Sequence, residues 1–170
     1  MNEQPSSARI ALKWGGILGL VLILITLIMY MTNPAGNPSF SILTLVAMVA
    51  FIALGLVEYR RTNEGFMTYG EGMGIGALLS AVAGLLSSAF ITFYNVVIDP
   101  TIQQRATELA QEQLEKQGMD DDQIEKAMEI AQKFQSPGFV FVAQVFGTII
   151  MGVLLTLIIA AIVRRNRPVF

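Results

Sequence analysis

A small residue recurs at every fourth position through one long uncharged stretch: Gly72, Gly76, Ser80, Gly84 and Ser88, within Gly72–Ile98. A water-facing helix does not accumulate glycine, which costs about 1 kcal/mol per residue relative to alanine. In a bilayer the balance reverses. Lipid tails are as apolar as leucine, so helices associate by close backbone approach, and small residues one turn apart permit it. At about 1.5 Å per residue this stretch reaches roughly 40 Å, more than the ~30 Å hydrocarbon core. It therefore reads as a central transmembrane helix around which three others pack.

The other three are visible as further uncharged blocks, Trp14–Met31, Phe40–Val57 and Phe139–Val163. Each has about the 18 residues that mark a spanning candidate. With 54% of residues apolar and 14% charged, four such blocks leave no polar faces to show water. The fold class expected is all-α, a four-helix transmembrane bundle. The chain has neither cysteine nor histidine. That excludes disulfides, thiolate nucleophiles, zinc sites of the usual kind and imidazole acid–base chemistry.

In chain order, residues 1–13 form a polar segment carrying Arg9 and Lys13, and spans follow at about 14–32, 40–57 and 70–98. A basic start before an apolar block can be a signal peptide. This block is longer than such a region, and no small-residue cleavage pattern follows it, so it reads as a retained first span. Trp14 and Tyr30 stand at its ends, where amphipathic rings favour the headgroup zone. The turn Asn33–Ser39 is short and rich in Pro, Asn and Gly, which forces the first two spans to be antiparallel neighbours. Tyr59, Arg60 and Arg61 read as interfacial anchors after the second span, as do Arg164 and Arg165 after the last. Thr68 and Glu71 match a capping box before the third span.

Asp99-Pro100 ends that span, with Asp99 placed to cap the helix that follows. Residues 99–138 then carry two apolar stripes at helical spacing: Ile102, Ala106, Leu109, Ala110 and Leu114, then Ile124, Ala127, Met128, Ala131 and Phe134. Gly118 separates them, and Asp120 with Gln123 starts the second. The expectation is a short amphipathic αα-hairpin between the third and fourth spans, with i,i+4 pairs Glu112–Lys116 and Glu129–Lys133. Ser136 and Pro137 open the last span, 139–163, and a basic tail, 164–170, closes the sequence.

Seven of the eleven Lys and Arg residues lie on the side of the termini and the second loop, and the remaining four lie in the hairpin among nine acids. The positive-inside rule puts both termini in the cytoplasm and the hairpin outside, periplasmic for an inner-membrane protein.

Gln144, Thr148, Gly152 and Thr156, continued by Ala160, repeat the four-residue spacing on the last span. The two ladders are expected to face each other antiparallel, with Asn95 and Gln144 within hydrogen-bonding reach. The alternative use of these polar groups is to line a permeation path. Glu71, the carboxylate attached to the long uncharged block, reads as a capping acid at the positive end of a helix dipole. Its alternative is ion or proton handling opposite Arg60 or Arg61. Asp120-Asp121-Asp122 fails the calcium-loop pattern, because Gly and the closing Glu are missing from their positions. Gly72-x-Gly74-x-x-Ala77 has no preceding strand and is not a dinucleotide fingerprint.

The run from Tyr59 to Glu71, with Asp99-Pro100 and the acidic hairpin after it, resembles the bacterial family catalogued as domain of unknown function 4199. Gly65, Phe66, Gly70, Glu71, Asp99 and Pro100 carry that resemblance. It implies a four-span inner-membrane protein, mainly of Bacteroidetes, and supplies no activity. No catalytic residue, metal site, cofactor or nucleic-acid partner is expected; the partners expected are the lipid bilayer and a docked protein or a second copy. The functional reading is a non-catalytic accessory or scaffold protein. Its alternative is a small oligomeric transporter or channel using Glu71 and the ladders.

Overall fold

The structure is a computed structural model that describes residues 6–32 and 38–166. It contains six α-helices: α1 (Ser7–Thr32), α2 (Pro38–Thr62), α3 (Tyr69–Phe93), α4 (Thr101–Lys116), α5 (Asp121–Lys133) and α6 (Pro137–Val163). A π-helical turn, Tyr94–Ile98, extends α3. No strand occurs among the described residues. The helices α1, α2, α3 with its π turn, and α6 are long and apolar enough to cross a membrane. The amphipathic pair α4 and α5 lies between the third and fourth of them, as expected.

The helices outrun the apolar blocks that mark them. α1 begins two turns before Trp14, where Ser6 Oγ accepts the Arg9 N–H at 3.3 Å. α2 continues past Val57 to Thr62. Backbone hydrogen bonding does not stop where hydrocarbon stops, so uncharged blocks mark membrane thickness and not helix length. The turn expected between the first two spans falls at residues 33–37, outside the described residues, as do residues 1–5 and 167–170.

The largest interfaces are those of α3 with α1 and with α6. α2 packs on α1 and α6 and touches α3 least. The four spans thus form a ring, α1–α3–α6–α2, with α3 the most enclosed: 44% of its most apolar window is buried, against 22–28% for the others. The shared core runs through Leu18, Ile52, Leu56, Ile75, Leu79 and Ala83. Outward faces carry exposed Leu24, Ile42, Val46, Ile158 and Ile162, a surface suited to lipid.

The two ladders interlock. A Cβ at Gly76 collides with the Thr156 side chain, and one at Gly152 collides with Ser80. Gly72 faces Ala160, and Gly84 faces Thr148. Each step of four up α3 is matched by a step of four down α6, the register of an antiparallel pair. On its other flank, α3 receives Gly15 and Gly19 of α1: a Cβ at Gly15 stands 2.6 Å from the Leu79 carbonyl oxygen, and one at Gly19 stands 2.9 Å from the Leu86 side chain.

Caps close the hairpin where the sequence places them. Asp120 Oδ1 accepts the Gln123 N–H at 2.8 Å, and Ser136 Oγ accepts that of Phe139 at 3.4 Å. Gly118, at φ +79°, ends α4 in a left-handed turn, and the next N–H, of Met119, reaches back to Leu114 O at 3.3 Å. Asp99 acts one residue earlier than a formal cap. Pro100 takes the cap position, and Asp99 Oδ1 accepts both the N–H and the hydroxyl of Thr101, at 3.1 and 2.5 Å. The ion pairs Glu112–Lys116 and Glu129–Lys133 are present at 3.5 and 3.2 Å.

Candidate functional site

At the end of the bundle that carries the termini, α3 starts in the β-region at Thr68. The Thr68 N–H and hydroxyl both donate to Glu71 Oε2, at 2.7 and 2.8 Å, and Thr68 Oγ1 accepts the Glu71 N–H at 3.3 Å. This is a complete capping box. The second carboxylate oxygen, Oε1, accepts the Tyr59 hydroxyl at 2.9 Å. Both oxygens of the acid singled out for ion handling are therefore held by protein donors. Arg60 is turned elsewhere, donating to Val163 O at 3.0 Å.

Tyr59 corrects one expectation. It is 6% exposed and belongs to the core, so it fixes Glu71 from inside and does not anchor the interface. Arg165 and Met67 exchange two backbone hydrogen bonds at 2.9 Å, tying the end of α6 to the start of α3, and the Arg165 guanidinium lies 6.0 Å from the Phe66 ring centre. Arg164 caps α6 and, like Arg61, is exposed on the same end. A cavity of about 360 Å³ opens here between Asn63, Thr68, Glu71, Arg165 and Asn166.

Trp14 works in a cluster that sequence reasoning missed. Its Nε1 donates to Glu58 Oε2 at 2.7 Å, while Lys13 Nζ meets both Glu58 oxygens at 2.9 Å and lies 5.1 Å from the Trp14 ring centre. The signal was available. Lys13 and Glu58 are the charges nearest the apolar blocks of two spans that a short turn makes antiparallel, so they fall at one level.

The opposite end, beneath the hairpin, holds the more open ground. A cleft of about 370 Å³ lies where the ends of α1, α3 and α6 meet α4 and the α5–α6 linker. Tyr30, Thr92, Asn95, Gln103 and Gln135 are its polar lining, and no charged side chain contributes. Deeper in the bundle a second cavity, about 290 Å³, is lined by Thr26, Thr44, Ser87, Ser88, Gln144 and Thr148, again without charge. Below it the Gly84–Thr148, Ser80–Gly152 and Gly76–Thr156 contacts close the interior.

Asn95 and Gln144 do not meet. The ladder register sets Ser88 level with Gln144 and Asn95 level with Pro137, two turns and about 10 Å away. Asn95 and Pro137 line the upper cleft, whereas Ser88 and Gln144 line the lower cavity. The expectation counted residues inward from the end of each apolar block, and the ladder register does not set those ends level. The amide oxygens of both residues are buried without a protein hydrogen-bond partner, as is Thr92 Oγ1.

Residues 13–165 match the family model described as "Protein of unknown function (DUF4199)". No curated protein and no solved structure matches the chain.

Proposed function

The chain belongs to the DUF4199 family, whose description carries no activity, and from that premise we propose that it is a non-catalytic accessory or scaffold protein of the inner membrane that docks a partner. The observation that carries this reading is the engagement of Glu71: both its oxygens are occupied by Thr68 and Tyr59, as a structural carboxylate's are. The ladders are likewise filled by each other. What remains presented to solution is the hairpin, with its acids and its exposed Ile130 and Phe134, and at the other end the basic rim with exposed Arg61 and Arg164.

In this reading the termini are cytoplasmic and the hairpin faces the periplasm. The absence of native cysteine makes that testable with single cysteines at Asp121, Asn63 and Asn166. An impermeant thiol reagent applied to cells should label Asp121→Cys alone, and labelling of Asn63→Cys reverses the orientation. For docking, a photo-crosslinking residue at Glu125 or Ile130 should trap one discrete partner or a second copy. A protein that crosslinks to nothing from either position, and runs as a monomer in mild detergent, is no scaffold.

The transporter reading draws on the two stacked uncharged cavities. It requires the Gly76–Thr156 and Ser80–Gly152 contacts to part. Solute flux in proteoliposomes that is lost in Glu71→Gln would favour it over docking.

A further inference from the structure

The cleft beneath the hairpin has an uneven complement of hydrogen-bonding groups. Its roof donors are already engaged: Gln103 Nε2 donates to Gln135 O at 2.8 Å, and Gln135 Nε2 donates to Thr107 Oγ1 at 3.3 Å. Its wall groups are not: the Thr92 hydroxyl, donor and acceptor both, and Asn95 Oδ1 are buried with no protein partner. Gln144 Oε1 repeats the situation in the deeper cavity, two turns below the level of Asn95. Leaving a buried polar group unmet costs about 1–3 kcal/mol, and three such groups stand on residues lining these two cavities. Asn95 also lies in the π-helical turn Tyr94–Ile98, where Asp99 N reaches Tyr94 O at 2.9 Å. Such turns recur at functional sites because they interrupt regular packing and reorient side chains.

These features restrict what fits. A site lined by hydroxyl and amide groups without a cation offers a carboxylate or phosphate no counter-charge. With no acid in its lining, it has no counter-charge for an ammonium group. It suits an uncharged group that both donates and accepts, a hydroxyl. Apolar Met29, Val96, Ile102 and Val140 share the lining, at the level where the apolar spans end, so a hydrocarbon stem has a surface to follow. The volume, about 370 Å³, lies at the small end of the range for ligand sites, ~300–1,000 Å³.

We propose that this cleft binds an uncharged, hydroxyl-bearing headgroup on an apolar stem, a monoacylglycerol-like lipid taken from the bilayer. The headgroup hydroxyls donate to Thr92 and Asn95, and Gln144 offers the deeper acceptor.

The test is native mass spectrometry of the full chain in detergent with 1-monooleoylglycerol, methyl oleate, dioleoyl phosphatidic acid and free glycerol as probes. Wild type should hold one equivalent of monooleoylglycerol and discriminate against methyl oleate and phosphatidic acid. Thr92→Val and Asn95→Leu each remove an acceptor and should weaken monooleoylglycerol binding by about tenfold, the value of one hydrogen bond. Because Thr92→Val also relieves an unmet buried group, its melting temperature without ligand should be equal to or above that of wild type. Ala106→Trp blocks the cleft from exposed α4, outside the bundle, and should abolish binding with the fold intact. Equal binding by the variants, or retention of methyl oleate or phosphatidic acid, overturns the proposal. So does free glycerol bound as tightly as the lipid, which would make the source aqueous. No adduct with any probe means a cleft filled by water only, and overturns it too.

Discussion

Gly76 and Gly16 are both helical glycines, yet the same substitution should act on them with opposite sign. On propensity alone, Gly→Ala stabilises a helix by about 1 kcal/mol. Nothing lies within 4 Å of a Cβ at Gly16, so Gly16→Ala should be neutral or slightly stabilising in detergent thermal unfolding. At Gly76 the methyl meets Thr156, and overpacking of that kind costs about 1–3 kcal/mol. Gly76→Ala should therefore lower the melting temperature, and Thr156→Ala in the same chain should restore part of it. Equal effects at both glycines would remove the argument for interlocked ladders. Sequence spacing alone picked out Gly76 and passed over Gly16, because the spacing rule encodes the backbone approach that separates them. Tyr59 was misread at the same scale. Its position beside two arginines resembles an interfacial ring, and only the neighbouring Glu71 shows that the ring turns inward.

Among the elements, the hairpin was the most legible, because its ends are set by local chemistry. Ser136, Asp120 and Gly118 act within three residues of themselves, and their roles need no knowledge of the rest of the chain. Asp99 belongs to the same class. The Thr101 hydroxyl bonded to its carboxylate, with the Thr101 N–H and the nearby Arg105 charge in support, holds the Asp99 pKa below its ordinary value. A depressed carboxyl contributes stability above its unfolded pKa and loses it as pH falls through the folded one. The first turn of α4 should consequently loosen on acidification below the usual aspartate range, about pH 4. Amide exchange at Thr101–Arg105 should show that acid-dependent opening, and Asp99→Asn should exchange at a pH-independent protection level. The π turn before Asp99 was not legible, since nothing in Tyr94–Ile98 distinguishes it locally from α-helix. The partner expected for Asn95 was displaced for a different reason: the outer ends of the third and fourth apolar blocks were set level, and the ladder register does not align them.

For the whole molecule, the ring of four helices and the central place of α3 were readable, and the α1–α3 interface was not read. Gly15 and Gly19 carry the same four-residue spacing as the α3 ladder, but a single repeat is easily passed over beside five. The register is open to a direct check, because the chain has no native cysteine. Gly84→Cys with Thr148→Cys should form a disulfide under mild oxidation, since an ideal Cβ at Gly84 lies 3.1 Å from the Thr148 Cβ, a few tenths of an ångström of adjustment from the roughly 3.5–4.5 Å of a disulfide. Asn95→Cys with Gln144→Cys should not, being two turns out of step. Rapid crosslinking of the second pair and none of the first would place α6 in another register.

The position of α3 between α1 and α6 also orders events at the ribosome. α1 is already inserted when α3 emerges, so Gly15 and Gly19 can seat against it at once. The opposite flank must wait while the hairpin is translated. During that interval its row of glycines and serines is a notch without a tooth, open to any other small-faced helix in the lipid. Delivery of α6, clasped by Arg165 to Met67, ends that exposure.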